Sequence, residues 1–356
     1  MITRRFRFVG LLAAGALILA ACGGADDDTD TDTAPDEETT DTDADDDGSD
    51  DVDGEAAGDP DGEFEVFALL PQGNDQPYGT TYLPPMEEAA AELGINLTIT
   101  NSQYDADTQA SECEVAVAAA PDGIILWPAV GDTIRPCLAA ANDAGIPVTI
   151  TNSDVNPEDA DLTRGYSGPD TYGQGVASAE LMCEAAAGEE IGIIVVNGLT
   201  GNSTAINRRD GFVETVEAEC PNVEILAEQP GDWNADDSQI AAAEMLTAVG
   251  PENVQGIYAA DDTMAAGAID AVVARGLDLN DLIITSIGNT FLGNPLVVDG
   301  SLDGTVFQSS SWDGENAVTT MYEILTEGPA ERIIRFMPQT KVTAENADDP
   351  DVAPEW

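Results

Sequence analysis

The sequence predicts an α/β protein built of two doubly wound lobes. Three observations carry that expectation. From residue 64 onward, short β-rich apolar runs alternate with Ala-rich helical stretches. The runs are apolar on both sides, as strands are when helices cover both faces of a parallel sheet. The alternation also occurs twice, in two sets of similar size, within 356 residues, a length that suits two ordinary domains and something extra.

The extra part is N-terminal. Arg4, Arg5 and Arg7 precede an apolar run from Val9 to Ala21. This reads as a secretory signal over residues 1–21, and the run is short for a membrane span. Leu19-Ala20-Ala21-Cys22 resembles the lipobox of bacterial lipoproteins, which implies cleavage before Cys22, its lipidation, and a membrane anchor. Residues 22–63 contain no Lys and no Arg and are dominated by Asp, Thr, Ala, Gly and Glu. Such a segment buries too little surface to offset ordering entropy, so an acidic disordered tether is expected. Asp43, Asp45, Asp47 and Gly48 imitate the start of a calcium loop. The twelfth position is Gly54 rather than Glu and no helices flank it, so no metal is expected there.

In the first set, "EFEVFALLP" (64–72 region), "INLTITN" (95–101), "GIILWP" (123–128) and "PVTITN" (147–152) read as strands. "PMEEAAAELG", "ADTQASECEVAVAAA" and "GDTIRPCLAAANDAG" read as the helices between them, each ending at Gly or before Pro. Pro84-Pro85 should delay the first of these helices. In the second set the strands are "IGIIVVNG" (191–198), "NVEILAEQPG" (222–231), "GIYAAD" (256–261) and "LIITSIG" (282–288). "STAINRRDGFVETVEAE", "ADDSQIAAAEMLTAVG" and "TMAAGAIDAVVARG" are their helices. A helix over 316–328 and the run "RIIRFMPQTKVT" follow.

Composition removes several functions. The formal charge is −58. From residue 64 the chain carries only Lys341 and seven Arg, which argues against nucleic acid and against an anionic substrate. There is no His, so Ser-His-Asp and Cys-His catalysis and most zinc sites are excluded. No phosphate-cradling Gly-rich loop is present, and no cofactor or metal is expected. Beyond Cys22 an even set remains, Cys113, Cys137, Cys183 and Cys220. In an exported chain these suggest disulfides, and their places on consecutive helices suggest Cys113–Cys137 and Cys183–Cys220.

Ligands of doubly wound sheets bind beyond the carboxyl ends of strands. The loops there are rich in amides, carboxylates and aromatics. The first, within "PQGNDQPYGTTYLPP", supplies Gln72, Asn74, Asp75, Gln76 and Tyr78. Later strand ends supply Asn152-Ser153-Asp154, then Asn202, Ser203 and Arg208–Arg209, of which at least one Arg should sit on the rim. Trp233 lies between Asp232 and Asn234, and Asp261-Asp262, Asn289 and Gln308 close the series. Trp127 also ends a strand and reads as a core cap. A ring face packs on the C–H face of a sugar, while short polar side chains bond its hydroxyls, so a neutral polyhydroxy ligand fits.

"LPQGNDQPYG", "GIILWPA", "AGIPVTITNSD", "GNSTAINRRDGF", "ADDTMAAGAIDAV" and "LVVDGSLDGTVFQ" carry a resemblance. Over about residues 64–348 the chain is similar to type I periplasmic sugar-binding proteins, the ribose-binding-like solute receptors of ABC transporters. The resemblance implies two Rossmann-like lobes joined by three crossing segments, near Tyr166–Gly168, Gln308–Ser310 and Phe336–Gln339. It implies an N-terminal lobe of 64–166 plus 309–336, a C-terminal lobe of 167–308 plus 337–348, and a tail of 349–356. It further implies a ligand set including Gln76, Tyr78, Trp233, Asp261 and Gln308, lobe closure on a sugar or polyol, and docking of a monomer on a permease. The chain departs from the family pattern at Asn152-Ser153, Ile206, Ile287-Gly288 and Gly79, so the ligand should differ from the usual pentose. Alternatives are a receptor passing a sugar-derived signal to a sensor, and a carboxylate-dependent glycosidase. A repressor of the same lobes is excluded, because a signal segment stands where a basic helix-turn-helix would.

Overall fold

The computed structural model describes residues 64–356. The signal segment, Cys22, the acidic stretch to residue 63 and its calcium-like pattern lie outside the described residues.

The chain begins with β1 (Phe64–Leu70), α1 (Pro77–Leu93), β2 (Ile95–Asn101) and α2 (Ala106–Ala119). β3 (Gly123–Leu126), α3 (Gly131–Asp143), β4 (Val148–Thr151), β5 (Gly165–Gly168) and α4 (Thr171–Ala186) follow. Then come β6 (Ile191–Asn197), α5 (Ser203–Glu219), β7 (Val223–Pro230), α6 (Ala235–Val249), β8 (Gly256–Ala259) and α7 (Asp262–Ala274). β9 (Ile283–Thr285), α8 (Gly293–Asp299), β10 (Thr305–Val306), α9 (Ser310–Glu327), β11 (Ile333–Phe336) and β12 (Lys341–Val342) complete it.

Two parallel sheets result. The first has the order β11-β5-β4-β3-β1-β2 and the second β7-β6-β8-β9. β3 and β4 are buried at every residue, because helices cover both faces of their sheet. One face of the first sheet packs Tyr82, Met86 and Met321 from α1 and α9, and the other packs Ile134 and Leu138 from α3. The second sheet has its own core, built on Ile193–Val196, Phe212, Met245 and Val272. The chain passes between the sheets after β5, between β10 and α9, and after β11. A two-stranded antiparallel ladder, Thr305 with Val342 and Val306 with Lys341, flanks the last passages.

Two helices start earlier than their sequences suggest. α9 begins at Ser310 rather than 316, capped by Ser309 Oγ accepting from the Trp312 N–H at 3.1 Å. α1 begins at Pro77, where a missing N–H costs nothing, and continues through Pro84 and Pro85. Those two prolines withhold the donors that the Thr80 and Thr81 carbonyls would otherwise receive. Packing outweighs that loss. Tyr82, Leu83 and Met86 are buried on α1, and a Cβ on Gly314 of α9 would strike the Tyr82 carbonyl, so the two helices approach backbone to backbone. Gly79 has a similar reason: a Cβ there would strike the Gly73 carbonyl. β5, of sequence GYSG, carries too little β propensity to be read as a strand, and is held by ladders on both sides.

Cys113 of α2 bonds Cys137 of α3, and Cys183 of α4 bonds Cys220 just past α5, with Cα–Cα separations of 5.8 Å in both. Each bond closes a loop within one lobe, spanning 24 and 37 residues. Cross-links of that length stabilise by about 3 kcal/mol through the unfolded state. Replacing Cys183 and Cys220 together by Ala should therefore lower the urea midpoint of unfolding while leaving ligand affinity near its original value. An unchanged midpoint would contradict this.

Candidate functional site

A cavity of about 370 Å³ lies between the carboxyl ends of the two sheets. Gln72, Gln76 and Tyr78 reach it from beyond β1, Trp127 from the end of β3, and Asn152 and Ser153 from the end of β4. Asn202, Thr204 and Arg208 come from beyond β6, Asp232 to Asn234 from beyond β7, and Asp261 from beyond β8. These positions follow from the chain's local chemistry. After each strand the backbone turns into a helix whose first N–H groups need an acceptor, and the capping residue sits at the cavity edge. Asn202 accepts from the Ala205 N–H, Asn234 from those of Asp236 and Asp237, and Asp261 from that of Met264.

The lobes meet directly across the cleft. Asn202 Nδ2–H donates to the Ala129 carbonyl at 3.0 Å, and the Ser153 and Thr204 hydroxyls are 2.6 Å apart. The Gly131 N–H donates to the Gly201 carbonyl at 3.4 Å.

Arg208 is the one cation among the cavity-lining residues, and it is buried. Its Nε–H and Nη2–H donate to Gln174 Oε1 at 3.0 and 2.8 Å, and Nη1–H to the Ala260 carbonyl at 2.8 Å. A second Nη2–H donates to Gln308 Oε1. A guanidinium has five N–H groups, so one on Nη1 is left for the cavity. Burial lowers the Arg208 pKa, opposed by the charges of Asp261 and Asp262. The guanidinium lies 5.8 Å from the centroid of the Trp233 ring, in cation–π range. Asp232 and Trp233 both hold left-handed backbone, with φ of 51° and 59°. That conformation is costly for a bulky residue and is kept here where the indole lies over Gly198, whose lack of a Cβ makes the room.

The opposite wall is aromatic. Tyr78 sits 5.4 Å from Trp127 and 4.9 Å from Trp356, both edge-on. Its hydroxyl donates to Asp313 Oδ2 at 2.7 Å, which also accepts from Asn152 Nδ2–H at 2.8 Å, while Asp313 Oδ1 accepts from Thr151 at 3.0 Å. Asp313 thus fixes both a ring and an amide of the cavity from behind. Trp127 lines the cavity, and its buried Nε1–H has no protein partner. Burial pushes the carboxyls of Asp313 and Asp261 up to about 6, against the hydrogen bonds they accept.

Of the ten residues expected to bind ligand, Gln76, Tyr78, Asn152, Arg208, Trp233, Asp261 and Gln308 line the cavity. Three do not. Asn74 is exposed on the loop before α1. Asp154 pairs with Arg332 and accepts from the Val155 N–H, turned away from the cleft. Asn289 is wholly buried, donating to the Val352 carbonyl and bonded to Asn294. Arg209 is the rim arginine, with Nε and Nη2 at 2.6 and 2.7 Å from the Glu228 carboxylate. Asp262 is internal, accepting from Ser286, Thr290 and Thr305. Tyr104, Gln174, Asp313 and Trp356 were not legible as site residues. Asp313 falls ahead of the helix expected from 316 and enters a first turn only because α9 starts at Ser310, and Trp356 carried no signal. Trp127, read as a core cap, is both cap and wall.

A family model described as the periplasmic binding protein domain matches residues 67–329. A xylitol-binding protein of Mycolicibacterium smegmatis is 28% identical over 226 residues, 64% of this chain and 62% of that protein. The ribose import binding protein of Escherichia coli K12 is 26% identical over 261 residues, 73% of this chain and 85% of that one. A crystal structure of an ABC transporter solute-binding protein from Bacillus halodurans with bound myo-inositol superposes with a TM-score of 0.73 at 24% identity, covering 82% of this chain and 98% of that one.

Asp313 and Asp261 titrate near 6 when folded and near 4 when unfolded, so the folded chain binds their protons more tightly. Their stabilisation is complete below about pH 4 and is lost as pH rises through 6. The melting temperature should therefore rise between pH 8 and pH 5, and Asp313→Asn should flatten that rise. A melting temperature that falls over the same interval would overturn the assignment.

Proposed function

This chain belongs to the periplasmic binding protein family, and we propose that it captures a neutral sugar or polyol outside the cytoplasm and delivers it to an ABC importer. The cavity itself carries the proposal. Rings of Tyr78, Trp127 and Trp233 offer flat apolar faces, while Asn152, Asp261 and Arg208 offer acceptors and a donor between them. Such walls suit a small molecule with hydroxyls at its edge and C–H groups on its faces. The ligands named for its relatives, xylitol, ribose and myo-inositol, are of this class. An anion would meet Asp232 and Asp261 against a single cation already engaged by protein acceptors.

Cys22 would be lipidated and residues 22–63 would hold the binding lobes off the membrane. Among the described residues no helix is long and apolar enough to cross a membrane. The lobes would part and close about the three crossings, Gln308 among them.

A thermal-shift screen with sugars and polyols tests the ligand class, with a raised melting temperature expected for at least one. Trp233→Ala should then weaken that ligand's binding by about 1–3 kcal/mol in calorimetry. Unchanged affinity would take Trp233 out of the site. Cys22→Ser should move the exported protein from the membrane to the soluble fraction, because one lipidated residue supplies the anchoring area. Retention at the membrane would refute lipid anchoring at Cys22.

A further inference from the structure

Beyond the family match, which stops at residue 329, the chain returns to the cleft. Its last stretch touches both lobes. On the second lobe, Val352 is 2% exposed within that lobe's core, and its carbonyl accepts from buried Asn289 Nδ2–H. The Phe291 N–H donates to the main-chain oxygen of Trp356. On the first lobe, the Glu355 carboxylate accepts from the Ser309 hydroxyl at 2.9 Å and from the Ser311 N–H at 2.9 Å, at the start of α9. At the crossing between β10 and α9 the Trp356 indole N–H donates to the Gln308 carbonyl at 3.0 Å, and its ring lies edge-on to Tyr78 of the first lobe at 4.9 Å. That ring is also a wall of the cavity.

We propose that residues 350–356 form a latch between the lobes and that Trp356 is a specificity-determining wall of the ligand cavity. The segment is anchored on one lobe and seated against the crossing, the start of α9 and the Tyr78 ring, so parting the lobes draws Trp356 away from Tyr78. A ligand packed on the Trp356 ring favours that seat, and the seated latch favours the ligand by the same factor. The ring selects for a flat apolar face. Cyclic sugars and cyclitols present one, whereas an open-chain polyol gains less. The selectivity part rests on the proposed sugar or polyol role; the latch itself rests on contacts alone.

The test uses the exported full chain with myo-inositol, D-ribose and xylitol as probes in calorimetry. Trp356→Ala should weaken a bound cyclic probe about tenfold or more, the scale of one lost ring contact, and weaken xylitol about threefold or less. Trp356→Phe should restore most of the loss. Equal affinity of wild type and Trp356→Ala for a cyclic probe overturns the wall while leaving the sugar or polyol role intact. If no sugar or polyol of the thermal-shift screen binds wild type, that role fails, and the latch is decided separately. Spin labels at Asp143→Cys and Glu252→Cys, both on exposed helix or turn positions of opposite lobes, report the interlobe distance. Trp356→Ala with Glu355→Gln should lengthen and broaden that distance; an unchanged distribution overturns the latch. Native-like circular dichroism and an unchanged Cys183–Cys220 bond show that the variants are folded.

Discussion

One buried guanidinium organises the cleft. Arg208 cannot shed its charge, so wherever it is buried its N–H groups must find oxygens. It finds them on α4 through Gln174, at the end of β8 through the Ala260 carbonyl, and on a crossing segment through Gln308. Removing the Gln174 or Gln308 amide leaves a buried charge short of an acceptor, a loss on the order of 1.5–3 kcal/mol for one hydrogen bond to a charged group. The floor of the cavity, the approach to α7 and one hinge strand are therefore set by a single side chain. The Gln308 carbonyl then receives the Trp356 indole, so the same centre reaches the far wall through one residue.

Burial of carboxylates completes the electrostatics. The outside of the chain is strongly acidic, yet Asp313 and Asp261 are taken inside at a cost that shows in their raised pKa values. Asp313 is tolerated because three donors converge on it and it lies in the first turn of α9, where the helix dipole favours negative charge. That arrangement locks the Tyr78 ring and the Asn152 amide. Rigid walls matter here, since a ring that must be ordered on binding returns less affinity than one held in place.

Much of this was legible. Apolar runs between Ala-rich helices specify the parallel sheets, and the rule that ligands lie beyond strand ends locates seven of ten expected contacts. The misses have physical causes. Pro84 and Pro85 looked like a barrier to helix because local propensity opposes it, yet the close approach of α1 to α9 outweighs that opposition. Asn289 has the right residue type at the right strand end, but its amide is consumed by the Val352 carbonyl, a partner 63 residues away. Asp154 is drawn off by Arg332, 178 residues on. Gln174 meets Arg208 from 34 residues away, Asp313 meets Tyr78 from 235 and Trp356 meets Gln308 from 48, and no local pattern encodes partners so distant in the chain.

The separation of the cores determines how the cleft can work. Each sheet packs its own apolar clusters, so parting the lobes exposes none of Met86, Ile134 or Met245. What crosses the cleft mouth is polar and sparse: Asn202 to Ala129, Ser153 to Thr204, and Gly131 to Gly201. Bonds of this kind exchange with water and contribute about 0.5–1.5 kcal/mol each. In the proposed closure, so few of them would leave opening reversible, and a ligand adding a few kcal/mol of differential contact would decide the population. For a ligand held in the proposed way, those differential contacts would reside in the rings and acids drawn from both lobes, so that selectivity and closure would be set by the same residues.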